Sequence, residues 1–129
     1  MASLDKMMAM RVLELFSGRH KSFSTQAKLL GHKTYTVDID ANNRPNLLID
    51  IGKMTIFDLP EEWRKPDIIW ASPPCERFSV SSIGKYWQII NDIHVPRNQI
   101  AAEAQLLVSQ LETLIHQIAP QHWIIENPR

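Results

Sequence analysis

Two residues with the chemistry of a nucleophile and an acid follow apolar segments of this sequence. Cys75 is the single cysteine among 129 residues and comes after an apolar run that ends in Pro73-Pro74. Glu126 follows a second apolar run, Trp123-Ile124-Ile125. A thiolate facing a carboxylic acid suits attack on an electron-poor ring such as a pyrimidine. The alternative is that Cys75 is a small buried hydrophobe and Glu126 a solvated carboxylate.

The elements that must position these residues alternate between strand-like and helix-like segments. Apolar runs predict five strands, at residues 11–16, 33–39, 47–49, 67–71 and 123–125. Helical spacing predicts helices at 22–30 and 97–119, the first of them capped by Ser22 or Ser24 and ended by Gly31. Continuous apolar strands between helices indicate an α/β fold, with a parallel sheet covered on both faces. Residues 76–95 show no clean period and are interpreted as a long loop.

Length and composition fit a single domain of a soluble protein. The chain has 44% apolar and 22% charged residues, and no apolar run approaches the roughly 20 residues of a membrane span. One cysteine cannot form an internal disulfide or a thiolate metal cluster, so we expect no metal and a cytoplasmic location. Fourteen basic and fourteen acidic residues give zero net charge, which offers no global support for a nucleic-acid partner.

Polar residues at the predicted strand ends define a candidate binding edge, because doubly wound sheets bind ligands outside the carboxyl ends of their strands. Ser17-Gly18 follows the first strand and forms a turn suited to a nucleoside cofactor. The next residues, 19–21, contain no glycine, which argues against a pyrophosphate-binding fingerprint.

Acidic residues follow the second and third strands. Asp38 is the expected acceptor for both ribose hydroxyls, with Asp40 as the weaker candidate. Asp50 could accept a hydrogen bond from an adenine amino group, and Ile51 could pack on the ring. The alternative is that these aspartates only end strands and begin turns.

Four motifs occur in a recognisable order along the chain: Leu13-Glu14-Leu15-Phe16-Ser17-Gly18, Val37-Asp38-Ile39-Asp40, Ser72-Pro73-Pro74-Cys75-Glu76-Arg77-Phe78-Ser79 and Glu126-Asn127-Pro128. From about residue 10 to residue 129 the sequence resembles the DNA cytosine-5 methyltransferases, most closely their compact phage and prophage members. The resemblance implies a Rossmann-like S-adenosylmethionine-dependent methyltransferase fold. It also implies S-adenosyl-L-methionine as cofactor and a cytosine flipped out of DNA as substrate.

The resemblance assigns a role to each motif. Cys75 would attack C6 of cytosine while Glu126 bonds N3 and the exocyclic amine; C5 then takes the methyl group and elimination frees the thiol. The loop at 76–95 would be the mobile catalytic loop that closes over flipped DNA. The residues expected to bind the cofactor are Phe16, Ser17, Gly18, Asp38, Ile39, Asp50, Ile51 and Pro74, and those expected near the substrate are Ser79, Asn127 and Pro128.

The chain departs from the family pattern at two points. His20 stands where the family usually has a second glycine, and the sequence given stops soon after Glu126-Asn127-Pro128. We therefore predict one partial catalytic domain over residues 1–129, with sheet order 3-2-1-4-5, truncated after strand five and without a target-recognition region. The exposed edge of the fifth strand favours self-association or pairing with a second chain that carries the C-terminal half.

Two further functions remain open at this point. Ser-Pro-Pro followed by an aromatic residue is typical of amino-methyltransferases that act on cytosine N4 or adenine N6, although here Cys75 takes the aromatic position. A non-catalytic cofactor-binding module, or one subunit of a split enzyme, is the alternative from another class. We expect the isolated chain to have weak activity or none.

Overall fold

A computed structural model describes residues 9–73, 87–90, 93–96 and 99–126 of the chain. In chain order, the strands and helices of this part are β1 (Arg11–Leu15), α1 (Ser22–Leu29), β2 (Lys33–Asp38), β3 (Leu47–Leu48), β4 (Ile68–Ala71), β5 (Trp87–Ile90), β6 (Ile93–Pro96), α2 (Gln99–Ile118) and β7 (His122–Ile125). Single 3-10 turns lie at Ala41–Asn43, Ile51–Lys53, Ile56–Asp58 and Glu61–Trp63.

The main sheet has five parallel strands in the order β3-β2-β1-β4-β7. This confirms the predicted order, since these strands are the five expected from the apolar runs. β1 lies at the centre, where Leu15 is in register with Val37 of β2 and with Ala71 of β4. Because the strands are parallel, their carboxyl ends meet at one edge of the sheet.

Helices cover both faces of the sheet, as the sequence predicts. Side chains alternate along β1, so Leu13 and Leu15 point to one face while Glu14 points to the other. The face of Leu13 and Leu15 packs against α2 in a core that includes Leu111, Leu114, Ile115 and Ile118. The face of Glu14 lies against α1, whose Ser24 amide donates a hydrogen bond to the Glu14 carboxylate.

Helix α1 ends as expected but begins in a different way. Gly31 has φ 88°, its amide donates to the Lys28 carbonyl, and the amide of residue 32 donates to Ala27, which is a Schellman motif. The predicted capping by Ser22 or Ser24 is wrong, because no side chain of the N-cap makes a hydrogen bond and the Ser24 hydroxyl has no partner. Glu14 of β1 takes the free Ser24 amide instead.

The interpretation of residues 76–95 as one long loop is wrong in its second half. β5 and β6 form an antiparallel pair, with Trp87 in register with Pro96 and Ile90 with Ile93. Both segments are rich in β-branched residues, which is a strand signal. Residues 74–86 lie outside the described part, so the loop prediction for 76–86 is untested.

Helix α2 runs close to its predicted bounds, and its end has a local cause. Ala119 has φ 51°, a left-handed conformation that ends the helix before Pro120. Residues 97 and 98, at the predicted start, lie outside the described part. Within the described ranges, neither α1 nor α2 is long and apolar enough to cross a membrane.

The outer strand β7 carries two exposed apolar side chains. In the sheet it pairs with β4 on one side. Trp123 is 52% exposed and Ile124 is 44% exposed, and adjacent residues of a strand point to opposite faces. Both faces of the sheet therefore present apolar surface at this edge.

Candidate functional site

A cleft of about 420 Å³ lies at the carboxyl ends of β1, β4 and β7, beside the start of α1. Residues 16–20 of the β1–α1 turn line the cleft, and so does Glu126, directly after β7. The residues that line the cleft include Glu14, Phe16, Ser17, Gly18, Phe23, Trp70, Ser72 and Glu126.

The β1–α1 turn has an unusual backbone. Phe16, Gly18 and Lys21 have φ values of 57°, 65° and 47°. Left-handed conformations cost non-glycine residues of order 1–2 kcal/mol each, and such strained positions cluster at functional sites. A Cβ on Gly18 would meet no atom within 4 Å. Glycine is therefore favoured at position 18 by the backbone conformation and not by lack of space.

Ser17 presents an unsatisfied polar atom on the cleft wall. Its residue is 6% exposed and its hydroxyl oxygen has no hydrogen-bond partner. A buried hydroxyl without a partner costs about 1–3 kcal/mol. A ligand in the cleft that offers a polar group to Ser17 would remove this cost, so the wall suits a ligand with both apolar and polar parts.

Asp38 ties the β1–α1 turn to the end of β2. The residue is 8% exposed. Its Oδ2 accepts from the Gly18 amide at 2.7 Å and from Asn43 Nδ2 at 3.2 Å. Its Oδ1 accepts from the amides of Ile39 at 2.7 Å and Asp40 at 3.2 Å. Each oxygen thus already has two donors from the protein, which is the usual capacity of a carboxylate oxygen.

The neighbours of Asp38 differ in exposure and in local role. Ile39 is 64% exposed just after β2, so its side chain is available to a flat apolar ligand. Asp40 caps the following 3-10 turn by accepting from the Asn42 amide at 2.9 Å. The Lys21 ammonium donates to the Asn43 carbonyl, which adds a second link between the two loops.

Asp50 and Ile51 lie beyond β3. The Asp50 carboxylate accepts from the Gly52 amide at 2.9 Å and so caps a 3-10 turn, the local role that strand-end aspartates often have. Ile51 is 3% exposed and belongs to the core. Any contact of Ile51 with a ligand would therefore come from its backbone and not from its side chain.

Glu126 is exposed and held by one carboxylate oxygen. Its amide donates to the Ala71 carbonyl at 2.8 Å, which extends the pairing of β7 with β4. The Ser72 hydroxyl donates to Glu126 Oε2 at 3.1 Å, and Trp70 Nε1 donates to the Ser72 oxygen at 3.0 Å. The Trp70 ring stacks on Phe23 of α1, with ring centres 4.4 Å apart and an interplanar angle of 12°.

Sequence reasoning gave no site role to eight residues that line the cleft, among them Glu14, Phe23, Trp70 and Ser72. Glu14 is 2% exposed and accepts from the Ser24 amide at 2.9 Å, so it satisfies a backbone donor at the start of α1. An acid inside an apolar strand was the available signal for Glu14. The Trp70–Phe23 stack joins residues far apart in the sequence and left no local signal.

The structure brings some predicted site residues together and leaves others untested. Phe16, Ser17, Gly18 and Glu126 share the cleft, and Asp38 joins them through its bond to the Gly18 amide. Five predicted site residues lie outside the described part: Pro74, Cys75, Ser79, Asn127 and Pro128. Among the described residues, no group of His, Asp and Glu has the arrangement of a metal site.

Comparison with known proteins gives two findings. A family model described as C-5 cytosine-specific DNA methylase matches residues 10–129. A curated protein named "Probable DNA (cytosine-5)-methyltransferase", from Frog virus 3 (isolate Goorha), is 30% identical over 122 residues. The match covers 92% of this chain and 54% of that protein. The chain therefore spans about half the length of this curated relative.

Proposed function

Since the chain belongs to the family of C-5 cytosine-specific DNA methylases, we propose that it forms the cofactor cleft and catalytic pair for methylation of C5 of cytosine in DNA. The observation that carries the proposal is the single cleft shared by Glu126 and the turn at residues 16–18. In the sequence these residues follow two different strands, β1 and β7. Both strands belong to the same parallel sheet, so their carboxyl ends lie at one edge.

The cleft suits S-adenosyl-L-methionine, which supplies an electrophilic methyl group on a sulfonium. Phe16, Ser17 and Gly18 would hold its methionine part, where the Ser17 hydroxyl lacks a partner. Amides in the first turn of α1, other than that of Ser24, which Glu14 takes, favour a carboxylate. The exposed side chain of Ile39 would pack on adenine, and Asp50 with the Ile51 backbone would complete that pocket.

Asp38 would accept hydrogen bonds from the ribose hydroxyls, and its present bonds indicate which donor the ribose would replace. Three of its four donors are backbone amides that fix the loops, whereas the fourth is the Asn43 side chain at 3.2 Å. A side chain can rotate away without moving the backbone. We infer that ribose takes the place of Asn43 on Oδ2.

Cys75, the fourth residue after β4, would act as the nucleophile. Its thiolate forms a bond to C6 of cytosine, and the electron pair of the C5–C6 double bond moves towards C5. C5 would use this electron pair to bond the methyl group, whose bond to the sulfonium sulfur breaks and leaves a neutral thioether. Loss of the C5 proton then restores the double bond as the bond from sulfur to C6 breaks, and Cys75 leaves as a thiolate.

Glu126 would make C6 electrophilic. A proton held between its carboxyl group and ring N3 withdraws electrons from the ring, and the same group can accept from the exocyclic amine. Glu126 is exposed at the end of β7, next to the cleft that would hold the cofactor, so it can reach a base extruded from DNA.

Partners beyond DNA are proposed from the edge of the sheet. Trp123 and Ile124 leave apolar surface on both faces of β7, and free strand edges favour pairing. We propose that a further polypeptide segment, in the same or a second chain, covers this edge, with a second copy as the competing occupant. A molar mass by sedimentation that rises with concentration would support self-association, and a constant monomer mass would exclude it.

Substituting Cys75→Ser tests the function. Carbon methylation should be lost in the variant, since a serine hydroxyl is far less ionised than a thiol, while binding of S-adenosyl-L-methionine should be kept. The measurement is transfer of a labelled methyl group to cytosine-containing DNA, together with the position of the methyl group in the product.

Three other outcomes are informative. Methylation of an exocyclic amine that survives Cys75→Ser would favour the amino-methyltransferase alternative. Cofactor binding without any transfer would favour a non-catalytic module. We expect the chain of residues 1–129 alone to transfer slowly or not at all, and robust transfer by it would contradict this expectation.

A further inference from the structure

Three side chains form a hydrogen-bonded relay from the cleft wall to Glu126. Trp70 Nε1 donates to Ser72 Oγ, which in turn donates to Glu126 Oε2. An indole N–H can only donate. With Oε2 as acceptor, the indole proton and the serine proton are both paired. If Oε2 donated instead, the serine proton would lose its partner in the relay.

Both ends of the relay are held in place. The Trp70 ring lies flat on Phe23 of α1, and the Ser72 amide donates to the Leu15 carbonyl of β1 at 3.2 Å. The Glu126 amide is fixed to β4 through the Ala71 carbonyl. The Ser72 hydroxyl thus starts from a fixed backbone and meets a carboxyl group whose own backbone is fixed.

We propose that Ser72 is a positioning residue that gives the two oxygens of Glu126 different tasks, an inference that rests on the proposed function. Oε2 accepts from Ser72, which leaves Oε1 to carry the proton shared with cytosine N3. When the adduct breaks down, the N3 proton returns to Oε1. Without the Ser72 bond, the carboxyl group rotates about its last torsion and its two oxygens become equivalent.

The first arm of the test is spectroscopic and needs no activity. The indole N–H of Trp70, assigned with Trp70→Phe, is followed in ¹H–¹⁵N spectra of the full chain. Ser72→Ala and Glu126→Ala should each shift this signal, and Ser72→Thr should keep it near its original position. The indole signals of Trp63 and Trp123 are internal controls and should not move. If the Trp70 indole signal does not shift in Glu126→Ala, the proposed relay is wrong.

The second arm measures the rate of labelled methyl transfer to cytosine-containing DNA by the full chain. Ser72→Ala should lower kcat about tenfold, the effect of losing one hydrogen bond to a charged group, with little change in the Kd of S-adenosyl-L-methionine. Ser72→Thr should restore kcat. If the wild type methylates and Ser72→Ala is equally fast, the positioning role is wrong and the function stands. If the wild type transfers no methyl group, the spectra alone decide, and a Trp70 signal that does not shift in Glu126→Ala overturns the positioning role.

Discussion

At Asp38, the protein's own hydrogen bonds occupy the oxygen atoms for which the proposed ligand would compete. The sequence identified this carboxylate from its place at the end of β2. It could not identify Asn43 as the donor on Oδ2, because that contact depends on how the loop after β2 folds back. An acidic residue at the end of a strand can be recognised from the local sequence. Which groups donate hydrogen bonds to its oxygens depends on the tertiary structure.

Asn43→Ala should therefore raise the affinity for S-adenosyl-L-methionine, by about two- to twelvefold, because a net hydrogen bond of about 0.5–1.5 kcal/mol no longer opposes the ribose. Calorimetric titration measures the change. Asn42→Ala is the control, since Asn42 bonds to Asp40 through its backbone amide. A lower affinity in Asn43→Ala would mean that Asn43 itself donates to the ligand.

At the scale of elements, apolar runs were sufficient for the parallel strands and insufficient elsewhere. The runs that became β1, β2 and β4 are largely buried, and those that became the more exposed β3 and β7 are also apolar, so hydrophobicity predicted all five. The pairing of β5 with β6 was not predicted, because these segments lack a regular spacing of apolar residues although they are rich in β-branched ones. The start of α1 was missed because its cap comes from β1 and not from the helix's own serines.

Glu14→Ala should destabilise the fold by about 1–3 kcal/mol, because the Ser24 amide loses its buried acceptor. Glu14→Gln keeps an acceptor of similar shape and should recover part of the loss. Urea denaturation of the three proteins gives the free energies of unfolding. Equal stability of the wild type and Glu14→Ala would show that the Ser24 amide finds another partner.

Tyr35 of β2 predicts a pH dependence of stability. Burial raises the pKa of Tyr35 above its ordinary value of 10.0, and the nearby charge of Glu62 raises it further. The folded chain therefore keeps the phenol proton at a pH where the unfolded chain has lost it. This contribution to stability is complete below pH 10.0 and is lost as pH rises through the folded-state pKa.

Thermal denaturation between pH 8 and pH 11 checks the Tyr35 prediction. In Tyr35→Phe, part of the loss of stability above about pH 10 should disappear. The variant keeps a ring to pack on Trp63, which lies 5.3 Å away between ring centres. Identical pH profiles for the two proteins would contradict the prediction.

For the whole molecule, one edge of the sheet gathers the chemistry, and within the described residues β7 pairs with β4 alone. The order β3-β2-β1-β4-β7 places the turn after β1 and the end of β7 around one cleft, with β4 between them. This order follows from strand sequence and family resemblance together. Neither predicts which side chains of neighbouring strands are in contact. The hydrogen bonds that link Trp70 to Glu126 were therefore seen only in the structure.

The most direct test of the central claim, that the cleft holds S-adenosyl-L-methionine, uses two glycines of the same kind. Gly18 and Gly31 are both left-handed, and a Cβ on either would meet no atom within 4 Å. Gly18→Ala and Gly31→Ala should thus lose similar stability, about 1–2 kcal/mol. Gly18 lines the cleft, whereas Gly31 lies beyond the far end of α1.

Calorimetric titration of S-adenosyl-L-methionine into the wild type and both variants decides the matter. The account predicts one site per chain, an affinity at least about tenfold weaker in Gly18→Ala because the added methyl group and backbone strain fall at the cleft wall, and an unchanged affinity in Gly31→Ala. No binding by the folded wild type, or equal binding by all three proteins, would contradict it.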